Sequence, residues 1–151
     1  MNAILKKLNF KDQKLLHILN APPEFMPVVD EMLQFAAIET TVASTEYSEF
    51  ILVFVTEQKQ IDELTPVLAS ALNGDGLLWY AYPKGTSRKY TCNFNRDTGW
   101  QMLGKFGFEG VRQVAIDEDW TALRFRRVEY IKNMKRDPKR AMSKEGRKRL
   151  I

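Results

Sequence analysis

The chain has 151 residues, a length that predicts one domain at about 100–200 residues per domain. With 44% apolar residues, 28% charged residues and a net charge of +4, its composition excludes collagen-like, low-complexity and fully disordered proteins. The single Cys excludes an intramolecular disulfide framework and a Cys-based zinc cluster, and the single His excludes a site built on two imidazoles of one chain.

The N-terminal third predicts a strand followed by a helix. Lys6 and Lys7 interrupt the first apolar residues, so no secretory signal is expected. Residues 14–19 form a short apolar run that ends in Asn-Ala-Pro-Pro, which predicts a strand followed by a turn. Apolar residues spaced three and four apart then predict a helix over residues 25–35. Residues 35–48 fit either an edge strand or a long loop.

The middle of the chain predicts a second strand, helix and strand. Residues 50–55 are apolar at every position, which is typical of a central parallel strand covered on both faces. This longest apolar run has six residues, far below the ~20 of a membrane span. One apolar face predicts a helix over residues 58–73, ended by Asn73-Gly74, although Pro66 favours a kink or an early helical position. Residues 76–82 predict the next strand.

The C-terminal third predicts a helix and a hairpin after a polar loop at residues 84–89. Asn95 or Asp97 provides an N-cap for a helix that Gly107 stops. Two strands then follow, residues 111–116 and 121–127, joined by the turn residues Asp-Glu-Asp-Trp.

The order of these elements predicts an α/β fold. Alternating strands and helices indicate three layers, a mostly parallel sheet with helices on both faces, and the last two strands add a C-terminal antiparallel hairpin. We assign this domain to residues 1–128 and a basic C-terminal arm to residues 129–151. Without a signal or a span, and with one Cys, the protein is expected to be cytoplasmic, with no membrane partner.

The positive charge is concentrated at the C-terminus. Residues 128–151 hold nine basic and three acidic side chains, a net +6, whereas residues 1–127 carry a net −2. Such an arm can bind nucleic-acid phosphates without sequence preference. The alternative is a solvated extension that aids solubility. The cations assigned to a nucleic-acid arm are Lys132, Lys135, Arg136, Lys139, Arg140, Arg147, Lys148 and Arg149.

A candidate ligand site lies where the parallel strands end, because ligands of open α/β sheets bind beyond the carboxyl ends of the strands. The loop after residue 83 offers a glycine, two hydroxyls and three cations, which are groups that suit an anion. Neither a Walker loop nor a Gly-x-Gly-x-x-Gly turn occurs, so no cofactor is predicted. A solvated loop is the alternative. The residues assigned to ligand binding are Asn20, Lys84, Gly85, Ser87, Arg88, Asp117 and Trp120.

Three other features have both a chemical and a structural interpretation. Asp117 and its acidic neighbours suit a hard cation or a general base, but also a simple turn. His17 lies in an apolar strand, and Cys92 lies near several cations, a setting that is typical of reactive thiols. We favour the structural interpretation for all three, and we predict no catalytic residue and no metal site.

Three segments carry a resemblance to a known family. They are Asn20-Ala-Pro, Leu78-Trp-Tyr-Ala-Tyr-Pro-Lys-Gly85 and Val114-Ala-Ile-Asp-Glu-Asp-Trp-Thr-Ala-Leu-Arg-Phe125. Over residues 5–128 the chain resembles small bacterial proteins that contain a domain of unknown function, in which a Ser is expected at the position of Thr121. The resemblance implies a compact α/β domain and no particular activity. Residues 139–150 are separately similar to the basic end of bacterial bacteriocin-protection, or OmpD-associated, proteins.

These observations leave three hypotheses about function. The first is a non-enzymatic module that binds an anionic small molecule or partner at the strand ends. The second is a nucleic-acid binder that acts through the arm. The third is an enzyme acting on phosphorylated or carboxylated substrates, with Asp117 as the base. We rank it last, because the topology indicates a site but specifies no reaction.

Overall fold

Six strands form one sheet in the computed structural model, which describes residues 2–131. The strands are β1 (Leu15–Leu19), β2 (Ala37–Glu39), β3 (Ser48–Phe54), β4 (Leu72–Pro83), β5 (Phe108–Ala115) and β6 (Trp120–Arg127). Their order across the sheet is β2-β1-β3-β4-β6-β5. The first four strands pair in parallel, and β6 pairs antiparallel with both β4 and β5. This topology confirms the predicted mostly parallel sheet with a C-terminal antiparallel hairpin.

Helices cover both faces of the sheet. They are α1 (Ala3–Lys7), α2 (Met26–Met32), α3 (Gln58–Ala71) and α4 (Gln101–Lys105). The first two pack on the face that contains Phe50, Leu52 and Trp79. The other two pack on the opposite face, against Ile51, Val53 and Tyr80. Because successive strand residues point to opposite faces, β3 must be apolar from Phe50 to Phe54, where both faces are covered, as its sequence predicts.

The strand after α3 begins earlier than its sequence predicts. The helix ends at Ala71 and passes directly into β4, so Asn73 and Gly74 lie in the strand instead of ending the helix. Gly74 adopts a φ of 52°, and the pairing with β3 shifts register between Ser48 and Phe50. Arg127 donates to the carbonyls of Ala69, Leu72 and Gly74. This guanidinium from β6 satisfies carbonyl groups at the end of the helix that would otherwise lack donors.

Other element boundaries also differ from those that the sequence predicts. The predicted N-cap at Asn95 or Asp97 is wrong: the Asn95 side chain accepts the N–H groups of Asp97 and Thr98 in a turn, and α4 starts only after Trp100. Gly107 stops the helix with a φ of 80°, as predicted. The predicted helix over residues 25–35 is shorter, ending at Met32.

The described chain ends in a short 3-10 turn, Val128–Tyr130, followed by the buried Ile131. Among residues 2–131 no helix combines the length and the apolar character needed to cross a bilayer. The arm cations assigned from the sequence, from Lys132 onward, lie outside the described residues.

Candidate functional site

The ends of the parallel strands and the β5–β6 turn meet at one edge of the sheet. Pro83 at the end of β4 pairs with Trp120 at the start of β6, and the Lys84 N–H donates to the Asp119 carbonyl at 2.8 Å. Asn20, which follows β1, directs its side-chain amide to the Phe54 carbonyl at 3.4 Å. The strand topology therefore gathers these loops where the sequence predicts a ligand site.

A cavity of about 560 Å³ opens beside the end of β4. Its walls come from the last residues of that strand, the loop at residues 84–96 and two side chains of the hairpin. Tyr82, Pro83, Tyr90 and Phe94 supply apolar surface. The size and the largely apolar lining are those of a small-molecule site, for which volumes of about 300–1,000 Å³ are usual.

The charged groups of the lining all have one sign. Lys84 and Arg96 line the cavity, and no carboxylate among the described residues does. Arg96 contacts the neighbouring Asp97 at 3.7 Å, but both side chains are more than half exposed, so this pair is weak. Among the described residues, the lining therefore offers a ligand two positive charges and no negative one.

A part-buried hydrogen-bond chain orients a neutral donor at the same place. The Gln113 side-chain amide donates to the Tyr82 hydroxyl and to Thr121 Oγ1, both at 3.1 Å. Thr121 in turn donates to the Val114 carbonyl at 3.1 Å. The Tyr82 hydroxyl is thus used as an acceptor, which leaves its own proton for a ligand. Burial, opposed by the positive charge of Arg96, raises the pKa of Tyr82 to about 12, so the hydroxyl stays protonated.

Ser87, one of the predicted ligand residues, holds the loop in shape. Its Oγ donates to Asp119 Oδ1 at 2.7 Å and accepts the N–H groups of Lys89 and Tyr90 at 3.3 and 3.1 Å. These contacts fasten the cavity wall to the β5–β6 turn. The Ser87 side chain therefore positions the loop that carries Lys84.

Gly85 and Cys92 complete the wall on the loop side. A Cβ placed on Gly85 would have no protein atom within 4 Å, so its backbone is open to a ligand. The Cys92 thiol donates to the Phe94 carbonyl at 3.0 Å. The sulfur is thus a packed and hydrogen-bonded part of the wall.

The structure brings only some of the predicted ligand residues together. Lys84, Gly85 and Ser87 line the cavity, whereas Asn20, Arg88, Asp117 and Trp120 are not part of its lining. Sequence reasoning missed Tyr82, Gln113, Thr121 and Arg96. The first three lie on three different strands, and no local pattern specifies the register that joins them.

Asp117 and Trp120 form the turn of the hairpin. Asp117 Oδ1 accepts the backbone N–H groups of Asp119 and Trp120, both at 2.8 Å. Trp120 is 3% exposed and packs edge-on against Phe54, with ring centroids 5.1 Å apart. Turn formation and packing account for both residues.

Glu24 ties the loop after β1 to this assembly. Its carboxylate accepts from the Tyr90 hydroxyl at 3.0 Å and from the Trp120 indole N–H at 3.2 Å, and Lys89 lies 3.5 Å away. Burial alone would raise the pKa of Glu24, but these hydrogen bonds and the Lys89 charge lower it to about 2.

Comparison with known proteins identifies the fold. No family model matches the chain, and no curated protein matches its sequence. The structure is similar to that of a Sulfolobus solfataricus protein assigned to the type 11 methyltransferases, with a TM-score of 0.53 and 10% identity over 89% of this chain and 93% of that one. It is also similar to an RNA methyltransferase from Salinibacter ruber in complex with S-adenosyl-L-homocysteine, with a TM-score of 0.46 and 10% identity over 88% and 94% of the two chains. At such identities the likeness concerns the fold alone. The chain shares its α/β fold with the Sulfolobus solfataricus protein.

Proposed function

We propose that this chain binds a small organic anion in the cavity beside the end of β4. The observation that carries the proposal is the lining: Lys84 and Arg96 are its charged groups, and it contains no carboxylate of the described residues. Charge-assisted hydrogen bonds from such cations are about twice as strong as neutral ones, and the Tyr82 hydroxyl adds an uncharged donor. The apolar walls suit a ligand with a planar, hydrophobic part.

The turn after β1 does not fit a nucleotide cofactor of the kind that Rossmann-like folds hold there. Such cofactors need a glycine-rich turn whose backbone N–H groups approach the ligand and a helix that begins at it. Here Asn20 takes the left-handed position with a φ of 60°, and Pro22 and Pro23 have no N–H to offer. A 3-10 turn of three residues follows. We therefore propose no nucleotide cofactor at the turn after β1.

The segments that carry the family resemblance also supply this site. Residues 78–85 contain the end of β4, Lys84 and Gly85, and residues 114–125 contain the hairpin and Thr121. We expect relatives that share both segments to share the cavity.

Two fluorescent probes that differ in one charged group test the proposal. 8-Anilinonaphthalene-1-sulfonate carries an anionic group on an apolar body, and N-phenyl-1-naphthylamine is the uncharged counterpart. We expect the double variant Lys84→Ala/Arg96→Ala to weaken binding of the sulfonate about tenfold or more, because it loses at least one charge-assisted contact of about 1.5–3 kcal/mol. Binding of the uncharged probe should not change.

The matched control is Arg88→Ala/Lys105→Ala, which removes the same charge from exposed positions outside the lining. It should bind both probes like the wild type, with near-UV circular dichroism verifying the fold of every variant. Equal loss of sulfonate binding in both double variants would mean that bulk charge attracts the probe. Unchanged binding in Lys84→Ala/Arg96→Ala would place the ligand elsewhere. Either result contradicts the proposal.

A further inference from the structure

The single His of the chain lies between two carboxylates, away from the cavity. His17 on β1 is 1% exposed, and its Nε2 is 3.0 Å from Glu46 Oε2 and 3.3 Å from Glu39 Oε2. Its Nδ1 is 2.7 Å from Ser48 Oγ. The ring is therefore buried and hydrogen-bonded, and the sequence pattern around His17 does not indicate the two acids.

The hydrogen bonds of Ser48 indicate which ring nitrogen carries the proton. Ser48 Oγ lies 3.1 Å from the Phe50 carbonyl, which can only accept, so the hydroxyl donates there. With its proton used in that way, Ser48 Oγ accepts from His17 Nδ1–H. A neutral His17 then directs the lone pair of Nε2 at two carboxylate oxygens. Three electron pairs that converge in this way require a cation between them.

We propose that His17, Glu39 and Glu46 bind a divalent metal ion, with zinc the best fit. One oxygen or nitrogen from each of the three residues lies within 4.8 Å of the others. In a tetrahedral zinc site, metal–ligand distances of about 2.0–2.2 Å place neighbouring ligand atoms about 3.4 Å apart, close to the separations from Nε2 seen here. An imidazole with two carboxylates is a donor set that zinc accepts, and three protein ligands leave one position for water.

The surroundings of the three ligands also resemble those of metal sites. Metal-binding imidazoles usually donate their second N–H to a neighbouring acceptor, which fixes the ring orientation, and Ser48 fills that role here. Glu46 Oε1 accepts the Ala43 N–H at 3.1 Å, which holds Oε2 toward the ring. The Glu39 and Glu46 side chains are 52% and 37% exposed, so an ion can enter from solvent.

The fold brings these ligands together from separate segments. Glu39 is the register partner of His17 in the β1–β2 pair. Glu46 comes from the loop before β3, which the Ser70 hydroxyl of α3 holds by donating to the Ser44 carbonyl at 2.8 Å. The site is formed by β1, β2 and this loop, and it shares no residue with the anion cavity.

Zinc titration of the untagged, metal-free full chain tests this inference. Because the chain has one His, ¹H–¹⁵N spectra of its imidazole report on His17 alone. We expect one equivalent of Zn²⁺ to shift the Nε2 resonance strongly while Nδ1 keeps its proton. Calorimetry should give one site. Glu39→Gln and Glu46→Gln should each weaken its affinity by more than the about tenfold typical of losing an outer-shell partner, since each replaces an anionic ligand with a neutral amide.

Glu49→Gln is the matched control, because it removes one exposed carboxylate of β3 outside the cluster. It should bind zinc like the wild type. If His17 resonances respond to pH but not to stoichiometric zinc, the cation between the three groups is a proton and the proposal is wrong. A loss of affinity in Glu49→Gln equal to that in Glu46→Gln would also overturn it. Both Gln variants alter partly exposed side chains, and thermal unfolding verifies that they fold.

Discussion

At the scale of single residues, Glu24 joins three parts of the site edge. Glu24 lies in the turn after β1. Its carboxylate accepts hydrogen bonds from Tyr90 in the cavity loop and from Trp120 in the hairpin. Its lowered pKa, about 2 instead of 4.5, means that the folded protein favours the ionised form. The stabilisation that comes from ionised Glu24 is therefore fully present above pH ~4.5 and is lost as the pH falls toward 2.

Replacing this carboxylate should change the acid dependence of stability. We expect the wild type to lose about 1 kcal/mol more than Glu24→Gln between pH 6 and pH 2.5, a modest value because the side chain is about a quarter exposed and solvent screens its contacts. Urea unfolding at the two pH values measures the difference. Glu118→Gln, an exposed carboxylate in the hairpin turn, serves as the control. If the difference in unfolding free energy between the wild type and Glu24→Gln is the same at both pH values, ionisation of Glu24 does not contribute to the pH dependence of stability.

At the scale of elements, the sequence predicts strands and helices correctly where the pattern that specifies them is local. The strand at residues 50–55 follows from contiguous apolar residues. The hairpin follows from the turn residues between its two strands, although β5 begins at Phe108, three residues before its predicted start. The sequence does not decide between an edge strand and a loop at the three-residue β2, because the pattern there is too short. The start of α4 was predicted wrongly, because an Asn that can cap a helix can equally close a turn.

The candidate site follows the same rule. Lys84 and Gly85 were identified because the groups that suit an anion are contiguous in the loop. The sequence does not indicate the hydrogen-bonded group formed by Tyr82, Gln113 and Thr121. Its hydrogen bonds depend on how β4, β5 and β6 pair. The His17 cluster was missed for the same reason, because Glu46 lies 29 positions away in the chain.

Gly99, in the segment between the cavity loop and α4, gives a prediction at this scale. It has a φ of 95°, and a Cβ there would lie 2.6 Å from Phe94 Cβ. We expect Gly99→Ala to destabilise the protein by about 2 kcal/mol, from backbone strain and the clash with a cavity residue. Gly85→Ala, where the added Cβ meets nothing, should stay within about 0.5 kcal/mol of the wild type. Urea unfolding compares the two, and equal stabilities would show that the segment relaxes freely.

At the scale of the whole molecule, two sets of cations suit two different kinds of anion. The cavity has Lys84 and Arg96, whereas the sequence places a net +6 in residues 128–151. A small organic anion needs converging donors and apolar walls, which the cavity supplies. A polyanion needs many cations in a row, and its binding depends steeply on salt. The two kinds of binding can therefore be separated by salt and by substitution.

The arm variant replaces the eight cations assigned to it with Gln, all beyond the last described residue. We expect the full chain to bind a labelled single-stranded oligonucleotide, with the logarithm of the affinity falling by about 0.7 per contacted phosphate for each tenfold rise in salt. The arm variant should lose this binding and keep the sulfonate probe, and Lys84→Ala/Arg96→Ala should do the reverse. Fluorescence anisotropy at 50 and 200 mM salt provides the measurement. Equal oligonucleotide affinity in the arm variant and the wild type would exclude the arm as a nucleic-acid element, since its defining property is the charge that the variant removes.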